Sequence, residues 1–260
     1  MNSNELKIKF LATLVSISAI GLIVFNRFTT LTYSITIIDT LPHDKSMFTE
    51  GFSIYNNNFI ETTGKYSESM VLSYPIADNS TNALKVQLND VFGEGSVVLN
   101  NKLYMLTWQD GKVLIIDPNT LKLLDTALYS RDGWGLTTDG KSLIASDGTS
   151  NIYYMDEELN TVKTISVRDK HVPVTDINEL EYIDNYIWAN VWNTDNLIII
   201  APGSGDIIQQ IDMSDLYVNR EQTSDCMNGI AWDGQYLYLT GKYWPYIYKC
   251  KISPKIQLRK

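Results

Sequence analysis

The stretch Val91-Phe92-Gly93-Glu94-Gly95-Ser96-Val97-Val98-Leu99 places a carboxylate between two glycines at the head of an apolar strand. Glycine on both sides removes bulk around Glu94 and lets another group approach the backbone closely. Taken alone, Gly-Glu-Gly is ordinarily a turn carboxylate facing water. Here the neighbourhood recurs along the chain.

Glu50-Gly51, Glu94-Gly95, Trp134-Gly135, Asn178-Glu179 and Asn228-Gly229 each precede an apolar strand, at intervals of 40 to 50 residues. Thirteen residues after the second member of each pair come Gly64, Trp108, Gly148, Trp192 and Lys242, each closing a second strand. Between the two markers lies Asn56-Asn57-Asn58, Asn100-Asn101-Lys102, Asp139-Gly140-Lys141, Asp184-Asn185-Tyr186 or Asp233-Gly234-Gln235. Asn and Asp-Gly suit tight hairpins that demand positive φ. Third strands are expected at residues 113–116, 152–155 and 197–200, and fourth strands at 121–126, 161–167 and 207–213. Four short antiparallel strands repeated at this period are the signature of propeller blades. The fifth unit ends after its third strand, residues 246–252, so residues 33–39 at the front are expected to supply the missing fourth. Closure of this kind leaves no orphan sheet edge. The expected fold is all-β, a five-bladed β-propeller of four-stranded antiparallel blades whose last blade is completed by an N-terminal strand.

In that geometry the first strand of each blade leaves the marker and the second returns to it. Both sets of markers then converge at one mouth of the central channel. Glu50, Glu94, Trp134, Asn178 and Asn228 form one ring, and Trp108, Trp192 and Lys242 belong to the other. Convergent polar groups in an aromatic cup are the usual form of a small-ligand site. Trp188 and Trp232 read as core instead, because tryptophan area dominates burial. Glu181, farther along the strand that starts at Asn178, is a candidate acid behind the pocket.

Composition removes several alternatives. The net charge of −9 argues against a nucleic-acid partner, which needs a basic face. Two histidines, His43 and His171, and two cysteines, Cys226 and Cys250, are too few for a multi-ligand zinc site. Neither histidine lies in a nucleophile-elbow context. The cysteines fall toward opposite ends of their blade and are expected to be free thiols. Gly203-Ser204-Gly205 lacks the third glycine and the following helix of a phosphate loop, and reads as a turn.

Residues 1–30 are a separate object. Lys7 and Lys9 precede an uncharged run over residues 10–25, which then meets Arg27. A positive flank followed by an apolar run is the pattern of an export signal or membrane anchor. No convincing small-x-small cleavage site follows, so an uncleaved anchor is favoured. The basic flank stays inside and residues 31–260, the catalytic domain, are exported to the periplasm or another extracytoplasmic space.

Phe48-Thr49-Glu50-Gly51, Phe92-Gly93-Glu94-Gly95, Gly133-Trp134-Gly135-Leu136, Asn178-Glu179-Leu180-Glu181-Tyr182, Ala189-Asn190-Val191-Trp192, Asn228-Gly229-Ile230-Ala231 and Thr240-Gly241-Lys242 occur in that order. From about residue 45 to 252 the chain resembles the plant and bacterial, papaya-type glutaminyl-peptide cyclotransferases. The resemblance implies a five-bladed propeller without catalytic metal or other cofactor. It also implies conversion of N-terminal glutamine to pyroglutamate with loss of ammonia. On the same basis Glu94 is the central acid/base, Asn178 its polar partner, Trp108, Trp134 and Trp192 the pocket walls, and Lys242 a charged neighbour. Relatives usually carry Phe-Thr-Gln-Gly where this chain has Glu50. An added carboxylate there would attract an ammonium substrate or raise the pKa of Glu94. The expected partners are peptide or protein N-termini bearing glutamine, met by a monomer that touches membrane only through its N-terminal segment. Two other classes compete: a propeller that binds ligand without turnover, and a metal-dependent propeller hydrolase or lactonase.

Overall fold

The computed structural model describes residues 29–77 and 83–258. The expected N-terminal anchor therefore lies outside the described residues. Among those described, no helix is long and apolar enough to cross a membrane. Residues 35–252 form one compact unit. A smaller unit is described over residues 29–34 and 253–258, where Thr32 Oγ1 donates to the Lys255 carbonyl at 3.3 Å.

The larger unit is a five-bladed propeller of four-stranded antiparallel sheets. Its first blade is Thr49–Tyr55, Asn58–Thr63, Ser69–Pro75 and Leu84–Leu88. The second is Gly93–Leu99, Lys102–Thr107, Lys112–Ile116 and Leu123–Leu128. The third is Leu136–Thr138, Leu143–Ser146, Asn151–Met155 and Thr161–Ser166. The fourth is Ile177–Ile183, Tyr186–Val191, Asn196–Ile200 and Ile207–Asp212. The fifth joins Met227–Trp232, Leu237–Gly241 and Tyr246–Leu258 to the N-terminal strand Thr29–Pro42, which takes the outermost place. The ring is thus closed from the front of the chain.

Local chemistry explains the repeat. The hairpin tips Asn56-Asn57, Asn100-Asn101 and Asp184-Asn185 all have positive φ, between 48° and 65°, as two-residue turns require. The expected fourth strand of the second blade begins two residues late because Leu121 is a turn residue with φ of 53°. Asp117 Oδ1 builds that turn by accepting the N–H groups of Asn119 and Thr120 at 2.8 and 3.0 Å. Gly203-Ser204-Gly205 is a turn, its Gly205 N–H bonded to the Ala201 carbonyl at 2.8 Å.

Alternation along the strands builds the core between blades. Leu103 and Met105 pack with Ile60 and Val71 of the first blade, whereas Tyr104 and Leu106 pack with Leu136 and Leu143 of the third. In the third blade, Leu143 and Ala145 face the second blade and Ile144 faces the fourth. Each middle strand is buried on both faces, while the outer strand Leu123–Leu128 stays largely exposed. Trp188 is fully buried, as expected of core, and Trp232 is half-buried.

The recurrent glycine has a steric cause. A Cβ on Gly95 would lie 2.5 Å from the Trp134 carbonyl oxygen, and one on Gly135 would lie 2.1 Å from that of Asn178. Inner strands of successive blades approach so closely at these points that no side chain fits.

Candidate active site

One hydrogen bond recurs at the mouth of four blades. Gly64 N–H bonds the Phe48 carbonyl at 2.9 Å, and Trp108 bonds Phe92 at 3.0 Å. Trp192 bonds Asp176 at 2.7 Å, and Lys242 bonds Cys226 at 3.1 Å. This bond fastens the end of each second strand to the start of the first, so both markers of a blade stand together. Side chains fix the same backbone from a second direction. Thr62 Oγ1 donates to the Glu94 carbonyl at 2.6 Å, and Ser146 Oγ donates to the Asn178 carbonyl at 2.7 Å.

The result is a cavity of about 250 Å³ lined by Phe48, Glu50, Phe92, Glu94, Trp108, Trp134, Asn178, Trp192 and Lys242. Of the eight side chains expected at the mouth, seven line it: Glu50, Glu94, Trp108, Trp134, Asn178, Trp192 and Lys242. Trp134 and Trp192 meet edge to face at 5.8 Å, and Phe92 leans on Trp108 at 5.4 Å. Trp192 remains 46% exposed and forms the outer lip. Phe48 and Phe92, which flank the Glu50 and Glu94 motifs, join the walls. Their signal was present, since each stands two residues before a carboxylate marker.

Asn228 does not line the cup. It sits behind, its Nδ2 donating to the Thr49 carbonyl at 2.9 Å and to Glu50 Oε2 at 3.1 Å. Glu50 Oε1 accepts from Lys242 Nζ at 2.6 Å, with both side chains buried. The Lys242 ammonium also lies 4.4 Å from the centre of the Phe48 ring. Glu181 is not in the cup; it accepts from Thr137 Oγ1 at 3.0 Å, and burial raises its carboxyl to about 8.

Glu94 is 6% exposed, and no hydrogen bond among the described residues engages its carboxyl. Burial pushes its pKa well above the usual carboxylate range; Glu50 adds to the rise, Lys242 opposes it, and Asp132 reinforces it. Burial also pushes Glu50 up to about 7, against the pull of Lys242. Lys242 is raised too: burial would lower it, but the charges of Glu50 and Glu94 prevail. The Lys242 ammonium is thus engaged by Glu50, while burial and the neighbouring Glu50 favour the protonated form of Glu94. Asn178 Oδ1 and Trp134 Nε1 are buried polar atoms without a partner. The cup thus offers a buried acid and free hydrogen-bonding groups inside aromatic walls. Among the described residues no three His, Cys, Asp or Glu side chains cluster to hold a metal. Cys226 and Cys250 are both free and buried.

Known proteins resemble this chain in sequence and fold. The family model described as glutamine cyclotransferase matches residues 11–252. The glutaminyl-peptide cyclotransferase of Arabidopsis thaliana is 37% identical over 234 residues, covering 84% of this chain and 71% of that protein. The crystal structure of Myxococcus xanthus glutaminyl cyclase superposes with a TM-score of 0.77 at 25% identity, over 89% of this chain and all of that one. By the extent of the family match and the identity to the plant enzyme, the chain belongs to the glutamine cyclotransferase family.

Proposed function

We propose that the cup cyclises the N-terminal glutamine of peptides and proteins to pyroglutamate, releasing ammonia. The observation that carries this reading is Glu94, a buried carboxyl with no competing hydrogen bond, in an aromatic cup of about 250 Å³. That volume is below the roughly 300–1,000 Å³ of pockets for drug-sized ligands and suits one residue rather than a peptide segment.

The chemistry needs one proton relay and no redox partner. The α-amine attacks the γ-carboxamide carbon, and the C–N bond to the carboxamide nitrogen breaks. Glu94 delivers its proton to that departing nitrogen and takes one back from the new ring nitrogen, so the enzyme ends as it began. The amine must be uncharged to attack, so the productive complex is the one that pairs a neutral amine with protonated Glu94. Asn178 donates from its amide Nδ2 to the carboxamide oxygen as negative charge builds on it. Trp108, Trp134 and Trp192 fold the side chain back on its own amine, which supplies the proximity of an intramolecular reaction. Glu50 and Lys242 set the charge of the floor.

The test is ammonia release from a short peptide with N-terminal glutamine, in excess EDTA. Turnover with EDTA present supports a metal-independent cyclase, and loss of turnover on chelation points to a metal-dependent hydrolase. Folded protein that binds the peptide without releasing ammonia favours a ligand-binding propeller, a reading to which the added carboxylate Glu50 lends some weight. The basic and apolar N-terminal sequence supports action outside the cytoplasm.

A further inference from the structure

Three ionisable groups from three blades share the cup: Glu50 from the first, Glu94 from the second and Lys242 from the fifth. The third and fourth blades contribute Trp134, Asn178 and Trp192, none of them charged. One cation thus has a choice of two carboxylates, and in the structure it has taken Glu50, at 2.6 Å. Glu50 is held ready for it. Its second oxygen accepts from Asn228, and its stem passes where a Cβ on Gly64 would lie 3.1 Å from Glu50 Cγ. With Oε1 on Lys242 and Oε2 on Asn228, Glu50 acts on the reaction through its partner rather than on substrate.

The consequence falls on Glu94. A proton relay must give up a proton and regain it within one turnover, so its carboxyl must not be locked as an anion. An ammonium bound directly to Glu94 would lock it, because an opposite charge at contact favours the ionised form. We propose that Glu50 is a positioning residue: by holding the Lys242 ammonium it keeps that cation off Glu94 and leaves Glu94 free to carry the mobile proton. This rests on the cyclase reading of the cup.

The other charges facing these groups are few. Asp132, from the loop before the third blade, acts on Glu94, and Asp225, before the fifth, acts on Glu50. Cys226 stands beside Lys242. Asp225 and Cys226 meet Lys242 through backbone hydrogen bonds, and none of the three makes a side-chain hydrogen bond to Glu50 or Lys242, so the balance among Glu50, Glu94 and Lys242 decides the outcome.

The test is Glu50→Gln in the full chain, which keeps the volume and an acceptor for Asn228 but releases Lys242. Removing a neighbouring anion and freeing a cation act on Glu94 in the same direction. The limb of the kcat/KM pH profile that belongs to Glu94 should move to lower pH by about one to three units. The double variant Glu50→Gln with Lys242→Met removes both ends of the pair and should return the limb close to its wild-type place. A residue that merely supports the fold would move neither. Should Glu50→Gln lose the fold, Glu50→Asp, which draws the charge back by one methylene, reads the same linkage with a smaller move. Carbon-13 NMR titration of the Glu94 carboxyl follows the same ionisation without turnover. Wild-type protein that releases no ammonia would count against the cyclase reading, and the titration would then decide this proposal alone. An unmoved Glu94 ionisation in folded Glu50→Gln overturns it.

Discussion

Glu179 of the fourth blade reaches over to the fifth, where its Oε2 accepts the backbone N–H of Ile230 at 2.9 Å. Its other oxygen accepts the N–H of Phe52 in the first blade at 3.3 Å. One side chain therefore satisfies two donors on the inner strands of two other blades, each the edge strand of its sheet. Glu179→Leu leaves both buried N–H groups without an acceptor, at about 1–3 kcal/mol each. Urea denaturation should register that loss, and roughly half of it for Glu179→Gln, whose single oxygen serves one donor. Burial raises the Glu179 carboxyl well above its usual range, so the folded chain binds its proton more tightly than the unfolded chain does. Its contribution is full below the unfolded pKa and fades as pH rises. Glu179→Gln should therefore flatten the decline of stability with pH.

A second prediction concerns ring closure. His43 Nδ1 lies 2.7 Å from the Trp244 carbonyl, which can only accept, so this nitrogen carries a proton. Nε2 faces Glu61 Oε1 at 3.0 Å, and Glu61 also accepts from Thr49 and Tyr74. Burial alone would lower the His43 pKa, but the charge and bond of Glu61 and the Trp244 carbonyl raise it. Burial would raise Glu61, but His43, Tyr74 and Thr49 hold it low. The histidine contribution is complete below 6.5 and is lost as pH rises through the folded value; the glutamate contribution is complete above 4.5 and is lost as pH falls. His43→Gln breaks a buried pair and should cost roughly 3–5 kcal/mol near pH 6. The variant should also lack the wild-type decline in stability above pH 6.5. A variant with the wild-type slope would remove His43 from this role.

The parts of the molecule that were legible in sequence are those where local sterics leave little choice. Gly95 and Gly135 are glycine because a neighbouring backbone occupies the space of a side chain, and Asn56-Asn57 recurs as a type because the hairpin needs positive φ. The markers that place Glu94, Trp108 and Lys242 at one mouth follow from those constraints. What stayed hidden depends on contacts across the ring. Glu50 and Lys242 are 192 residues apart, and nothing local announces that they pair. The bulge between Ile177 and Leu180 breaks the alternation that would otherwise say which of Asn178 and Glu179 enters the cup. Asn228 has the marker position but not the marker role, because its amide turns back to Thr49 and Glu50.

Gly64 tests the wall of the cup. A Cβ there would fall 2.3 Å from the edge of the Phe92 ring. That ring cannot retreat freely, since Phe48, Tyr66 and Trp108 contact it at 6.3, 5.7 and 5.4 Å. Gly64→Ala should displace Phe92 and misplace the bound glutamine. On the cyclase reading, kcat/KM falls by up to roughly 10²-fold, while overpacking costs about 1–3 kcal/mol. Steady-state kinetics beside thermal unfolding separates the two effects, and unchanged kinetics would show that Phe92 does not shape the site.

The last prediction sets activity against stability at one position. Glu94→Gln keeps the size of the side chain and breaks no hydrogen bond among the described residues. On the cyclase reading, in which Glu94 relays the proton, kcat should fall by about 10²–10⁴-fold with little change in KM. Stability should move the other way. The Glu94 pKa is raised in the folded chain, so wild-type protein loses stability as pH rises above 4.5, whereas the amide has no proton to lose. Glu94→Gln should accordingly be no less stable than wild type at acid pH and more stable at alkaline pH. Asn178→Leu supplies the contrast. On the same reading it removes the amide that stabilises the developing oxyanion and should lower kcat and kcat/KM together by about 10²–10³-fold. No alkaline gain in stability is expected for it, because Asn178 does not titrate. If Glu94→Gln gains stability yet keeps its turnover, the carboxyl is buried for some other purpose and the relay must be sought elsewhere in the cup.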